Sequence, residues 1–207
     1  MNNMNYELKD IPVIILAAGE SQRMGVLKGL LDYHGKPFLS YQIESLFEIG
    51  FTDIIVVLGK DTTIYQENIP QLKKSTVIVN PQPDRGSFSS LQSGLFGLND
   101  KYNSGVFILP IDVPCPSKEV WDQLAVELSS SKANVSIPEF NGKRGHPVLL
   151  SDEFRQHLQT CSSDSRLDFE IRKQKELQKA KIISVNDKNI TLNLNTLEEW
   201  EAFKVKE

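Results

Sequence analysis

Cysteine is scarce. Cys115 and Cys161 are the two in a chain of 207 residues, and they lack CxxC spacing. That pattern supplies neither a zinc-ribbon ligand set nor a disulfide framework. Long apolar runs are missing too: none approaches the 18 residues of a membrane span. The first residues lack the basic-then-apolar order of a secretory signal. Positive charge is not in excess either. The net charge of −4 gives no broad basic surface for a nucleic acid. These absences lead to the expectation of a soluble, cytoplasmic protein acting on something small. With 40% hydrophobic residues the chain can bury a real core. Its length suits one domain over 1–207, with 1–10 as a flexible, polar lead-in.

Residues 11–17 are almost wholly apolar, as expected of a strand buried on both faces of a parallel sheet. The pattern then breaks into Leu16-Ala17-Ala18-Gly19-Glu20-Ser21-Gln22-Arg23-Met24-Gly25-Val26-Leu27-Lys28. Ala17, Ala18 and Gly19 carry almost no side chain, so a ligand can lie against their N–H groups. Gly25 gives a second bare turn, and Arg23 and Lys28 add fixed positive charge. A small-residue loop with cations, leaving a parallel strand, suits phosphate. It is not a P-loop: five residues separate Gly19 from Gly25, and Lys28 comes three later. The three clustered glycines of the dinucleotide fingerprint are also missing.

Further on, apolar runs and helical periodicity alternate. Strands are predicted at 53–59, 76–79, 105–109, 133–137, 181–185 and 190–194. Helices are predicted at 37–49, 61–72, 87–98, 117–130, 151–178 and from 197 onward, with Pro37 in a first-turn position and Val126 on an apolar face. Residues 151–178 read as solvated, charged faces on one or two helices. Thr196 and Glu199 have capping-box spacing. The order is that of an α/β, three-layer, doubly wound, mainly parallel sheet, which binds ligands beyond the carboxyl ends of its strands. Asn80 ends the third predicted strand, so its amide is expected across the crevice from the phosphate loop, toward a base or ribose, or else serves as a turn residue before Pro81. Ser87 and Ser90 open the next helix; Ser87 reads either as a contact or as an N-cap. Asp112, between Pro110 and Pro114 at a strand end, has the rigid placement wanted of a carboxylate that holds the divalent cation of a triphosphate.

The pattern A-A-G-x-S-x-R-M-G-x-x-K resembles the signature loop of nucleotidyltransferases that take NTPs, and among them the molybdenum-cofactor cytidylyltransferase group. The run Gly86-Ser87-Phe88-Ser89-Ser90-Leu91-Gln92-Ser93-Gly94-Leu95 is similar to the second nucleotide loop of that family, and Pro110-Ile111-Asp112-Val113-Pro114 to its metal motif. The stretch Gly145-His146-Pro147-Val148-Leu149 is similar to its acceptor segment. The resemblance implies a fold like that of nucleotide-diphospho-sugar transferases. It implies nucleotide contacts at Leu16, Ala17, Ala18, Gly19, Ser21, Arg23, Gly25, Lys28, Asn80, Gly86 and Ser90. Catalytic roles fall on Arg23, Lys28 and Asp112, acceptor contacts on Arg144 and His146, and Mg2+ ligation on Asp112 and Asn195. His146 would either bind an acceptor phosphate or hold its loop. At 195 relatives often carry aspartate, and an asparagine ligates without charge. Arg166 and Asp168 fall where relatives carry an ion pair near the acceptor, but the motif glycine is missing and no contact is assigned.

In the family, alanine at position 18 accompanies CTP. The implied reaction is transfer of CMP from CTP to molybdopterin-bound molybdenum, releasing pyrophosphate and serving a molybdenum hydroxylase such as xanthine dehydrogenase. The alternatives are a sugar-phosphate or methylerythritol-phosphate nucleotidyltransferase, or a non-catalytic cofactor-binding maturation factor.

Overall fold

A computed structural model describes residues 7–19, 25–98 and 104–205. Arg23 and Ser21 therefore lie outside the described residues. In chain order the strands are β1 (Val13–Leu16), β2 (Asp32–Tyr33), β3 (Lys36–Pro37), β4 (Ile54–Leu58), β5 (Thr76–Val79), β6 (Val106–Pro110), β7 (Val135–Phe140), β8 (Lys143–Arg144), β9 (Val148–Leu150) and β10 (Ala180–Ser184). The helices are α1 (Phe38–Ile49), α2 (Thr62–Asn68), α3 (Ser87–Phe96), α4 (Lys118–Ser130), α5 (Asp152–Thr160), α6 (Leu167–Glu176) and α7 (Leu197–Lys204).

The main sheet runs β10-β7-β9-β6-β1-β4-β5, with β8 added to β7. It is mixed and mainly parallel, because β9 lies antiparallel to β6 and β7. Both faces are covered, and strand alternation sorts the residues between them. Val13, Ile15, Ile54, Val56, Leu58, Phe107 and Leu109 face one core with Trp121 and Trp200. Ile14, Ile55, Val57, Val106 and Ile108 face the other, under α3 and α5, with Phe88, Leu91, Leu95 and Phe154. Each such side chain contributes about 1.5–3 kcal/mol on burial, so the continuous apolar runs fix the central strands. Helix α3 lies close to the sheet at Gly94, where a Cβ would stand 2.9 Å from Val57 Cγ2 and 3.0 Å from Ile14 Cγ2. The glycine is there for packing.

The chain leaves β1 to one side for β4 and β5, then returns to the other side for β6. The reversal point lies between the carboxyl ends of β1 and β6, where doubly wound sheets open a crevice.

Several expectations are corrected. Residues 190–194 form no strand. A 3-10 helix, Lys188–Thr191, replaces it, because the Asp187 side chain accepts a hydrogen bond from Asn189 N and curls the chain. Residues 151–178 form two helices, α5 and α6, within the expected one or two, but their charge is not all solvated: Arg155 and Glu170 are buried. Val126 points outward, on the face of α4 opposite Leu124 and Leu128. Gly86, not Ser87, holds the N-cap position of α3. Pro37 precedes the first turn of α1 and pairs with Asp32 in a small ribbon the periodicity did not show. Within the lead-in, Leu8–Asp10 is a 3-10 turn whose Leu8 is buried against the core.

Candidate functional site

A cleft of about 480 Å³ opens at the reversal point. Leu16, Ala18 and Gly19 line it from the loop after β1, and Pro110, Ile111 and Asp112 from the turn after β6. Gly86, Ser87 and Ser90 line it from the start of α3; Lys28, His146, Arg166 and Asp168 complete the polar part of the wall, with apolar Leu167 beside them.

The Asp112 turn is held from several sides. Ile111 N donates to Leu16 O at 3.0 Å, and Val113 N to Pro110 O at 3.1 Å. Buried Gln42 on α1 clamps the same turn: its Nε2 donates to Val113 O at 2.7 Å and its Oε1 accepts from Cys115 N at 2.7 Å. Sequence reading missed Gln42, which carried only the signal of a polar residue on an apolar helix face. Leu194 N donates to Asp112 O at 2.8 Å, bringing the chain before α7 to the turn.

Lys28 begins a 3-10 helix, Lys28–Leu30. Its Nζ lies 3.1 Å from Asp112 Oδ2 and 2.7 Å from Asn195 Oδ1. Asn195 is set by the expected capping box of α7, in which Thr196 Oγ1 accepts from Glu199 N and the Glu199 carboxylate accepts from Thr196 N. That carboxylate also accepts from Asn195 N at 2.8 Å. The Asn195 N–H is the first cause holding the Glu199 carboxyl below its ordinary value.

Other residues fall elsewhere. Ala17 is buried in the core, and its N–H already donates to Val57 O at 2.9 Å, so it does not line the cleft. Asn80 is buried: Nδ2 donates to Ser89 and Ser90 Oγ at 3.0 Å each, and Oδ1 accepts from Gln82 N. Its amide shapes the entry to α3 and is not presented to the cleft, as befits a residue two strands out from β1. Arg144 is exposed on β8 and Gly25 on its loop, both outside the cleft lining. Gly86 does line it, with φ 91 and ψ −175, a conformation open essentially to glycine alone. No side chain caps α3, so the first-turn N–H groups of this helix remain available beside the cleft.

His146 reaches the cleft wall from the connection between β8 and β9. Its N–H donates to Ile190 O at 2.9 Å. The ring hydrogen-bonds the Ile108 backbone, while buried Nδ1 has no partner among the described residues. Burial is the main reason its pKa falls below the ordinary 6.5. The bond to the Ile108 backbone supports the second of the two roles read from the sequence, that of holding the loop. Arg166 and Asp168, given no contact from sequence, stand in the wall as a bidentate pair at 2.9 and 3.0 Å. Their poor motif match had hidden them.

Fold and cleft together define an α/β protein of the doubly wound class with a charged site at the sheet's reversal point. The chain belongs to the MobA-like NTP transferase domain family, whose model matches residues 13–179. It is 26% identical over 142 residues to a "Probable molybdenum cofactor guanylyltransferase" of Natranaerobius thermophilus, covering 64% of this chain and 62% of that one. It is also 26% identical over 141 residues to the "Molybdenum cofactor cytidylyltransferase" of Escherichia coli K12, covering 68% and 70%. A structure of Rv0371c from Mycobacterium tuberculosis H37Rv, in complex with manganese, superposes with a TM-score of 0.76 over 95% of this chain and 99% of that one. At 18% identity that likeness concerns the fold. No helix among the described residues is long and apolar enough to cross a membrane.

Proposed function

We propose that this protein transfers a nucleotidyl group from an NTP, CTP by preference, to a phosphorylated molybdopterin-type acceptor with release of pyrophosphate, in service of a molybdenum hydroxylase. The observation that carries this reading is the meeting of Lys28, Asp112 and Asn195 at the sheet's reversal point. An acceptor phosphate oxygen attacks the α-phosphorus; the new O–P bond forms as the bond to the β-phosphate oxygen breaks. Such transfer needs positioning and charge neutralisation, not a protein nucleophile. The Ala18–Gly19 backbone and the uncapped start of α3 offer N–H donors to phosphate oxygens. Lys28, and Arg23 outside the described residues, offer cations to the departing pyrophosphate.

The residues also fit a divalent metal. Two hard oxygens, Asp112 Oδ2 and Asn195 Oδ1, converge on one cationic centre, the Lys28 ammonium. One carboxylate plus a neutral oxygen suits Mg2+, which keeps several waters and needs few protein ligands. When bound, such a metal neutralises charge on the α-phosphate and orients it. The flexible stem of Lys28 lets its ammonium leave Asp112 and turn to the triphosphate.

Base choice rests on Ala18 by family resemblance, while the relatives carry both guanylyl and cytidylyl names. The test is thermal protection by CTP, GTP, ATP and UTP with Mg2+ or Mn2+, followed by pyrophosphate release with molybdopterin. CTP should raise the melting temperature most, since a ligand of the folded state stabilises by mass action. Stronger protection by GTP would replace the cytidylyl reading with a guanylyl one. Protection by none would remove the triphosphate site, and protection without pyrophosphate release would favour a maturation factor.

A further inference from the structure

One group of metal-ligand side chains stands outside the cleft lining, where α5 gives way to α6. His157 lies in the last turn of α5, Cys161 is its C-cap, and Glu170 is on α6. Cys161 Sγ is 3.5 Å from His157 Nε2, and His157 Nε2 is 3.5 Å from Glu170 Oε2. All three ligand atoms lie within 4.8 Å of one another. A tetrahedral zinc with ordinary bond lengths sets its ligands about 3.4 Å (N to O) and about 3.6 Å (S to N) apart. Two edges of that tetrahedron are thus already in place.

Glu170 is buried yet charged. Burial alone would push its carboxyl up, but Ser165, Lys173 and His157 together hold it below the ordinary value. His157 is half-exposed, which leaves a way in for an ion and a water. Lys173 Nζ bridges both Glu170 oxygens but is itself half-exposed on a flexible stem, free to swing aside and yield Oε2.

We propose that His157 Nε2, Cys161 Sγ and Glu170 Oε2 form a binding site for a thiophilic divalent cation, Zn2+ being the type, with water as fourth ligand. The Cys161 thiol gives up its proton to solvent as the S–metal bond forms. The site clamps the end of α5 to α6, and so fixes the connection that carries Arg166, Leu167 and Asp168 into the cleft wall. Sequence spacing did not reveal it because the third ligand comes from a different helix.

The test uses the purified full chain, reduced and stripped by chelator, with Co2+ as probe. One equivalent should produce a near-ultraviolet thiolate-to-cobalt band that Zn2+ abolishes. Cys161→Ser should lose the band while keeping its circular dichroism, and His157→Ala should weaken Co2+ binding at least tenfold. Asp112→Asn should retain the band, because no cysteine lines the cleft and no thiolate there can give it; this arm separates the inference from the proposed activity. Zn2+ should raise the melting temperature of the unaltered chain and not of Cys161→Ser. Absence of a thiolate band at stoichiometric Co2+, or a band that survives Cys161→Ser, overturns the proposal.

Discussion

The ammonium of Lys28 lies 3.1 Å from the carboxylate of Asp112, although 84 residues separate them in the chain. Each side chain is mostly shielded from solvent. Asn195, 167 residues beyond Lys28, takes the same ammonium at 2.7 Å. Three distant segments therefore share one cationic point, beside the cleft that the bare loop after β1 also lines.

Replacing Lys28 by methionine keeps the bulk of the stem and removes the charge. Turnover should fall by about 10²-fold, as for loss of one charge-stabilising donor, while Mn2+ should bind more tightly because Asp112 and Asn195 lose their competing cation. Titration calorimetry with Mn2+ and a pyrophosphate-release assay read the two effects separately. Unchanged turnover would remove Lys28 from the chemistry.

Asp112→Asn should abolish metal-dependent turnover while leaving the melting temperature near that of the parent, since Asp112 is a turn residue outside both cores. Retained activity would show that the metal is held elsewhere.

Gln42 is a positioning residue. Gln42→Leu leaves Val113 O and Cys115 N without their partners. Each orphaned buried group costs about 1–3 kcal/mol, so urea unfolding should show a loss of about 2–6 kcal/mol. Turnover should fall as well, because Asp112 sits on the turn that Gln42 clamps. A drop in stability with untouched kinetics would mean that the turn holds its shape without the clamp.

His146 predicts a pH dependence of stability. Its folded pKa lies below the ordinary 6.5, chiefly through burial. Between these two values the unfolded chain binds the proton more readily than the folded one. The contribution is therefore fully present above pH 6.5 and is lost as pH falls from 6.5 through the folded value. Melting temperatures measured from pH 7.5 to 5 should decline, and His146→Gln should decline less over that window. Equal slopes would assign the acid sensitivity to other groups.

How far the sequence reached differs element by element. Helix α7 was legible down to its capping box, because Thr196 and Glu199 interact within one turn. The stretch at 190–194 was misread as a strand because its conformation follows from the Asp187 side chain and from bonds to His146 and Asp112, which no local periodicity records. Asn80 was legible in one of its two readings: as a turn residue its Oδ1 accepts from Gln82 N, while its Nδ2 turns to Ser89 and Ser90 of α3 because its strand end lies two places out from β1.

The sequence by itself determined the α/β alternation, the buried central strands, and the bare loop that marks the family. Apolar runs and small residues act over a few positions, and their physics is local. Only the tertiary structure decided that Lys28 meets Asp112 and Asn195, that Gln42 clamps their turn, and that His157 and Cys161 face Glu170. Those meetings depend on which strands the sheet places side by side and on how helices pack across it, and hydrophobic burial fixes that for the chain as a whole.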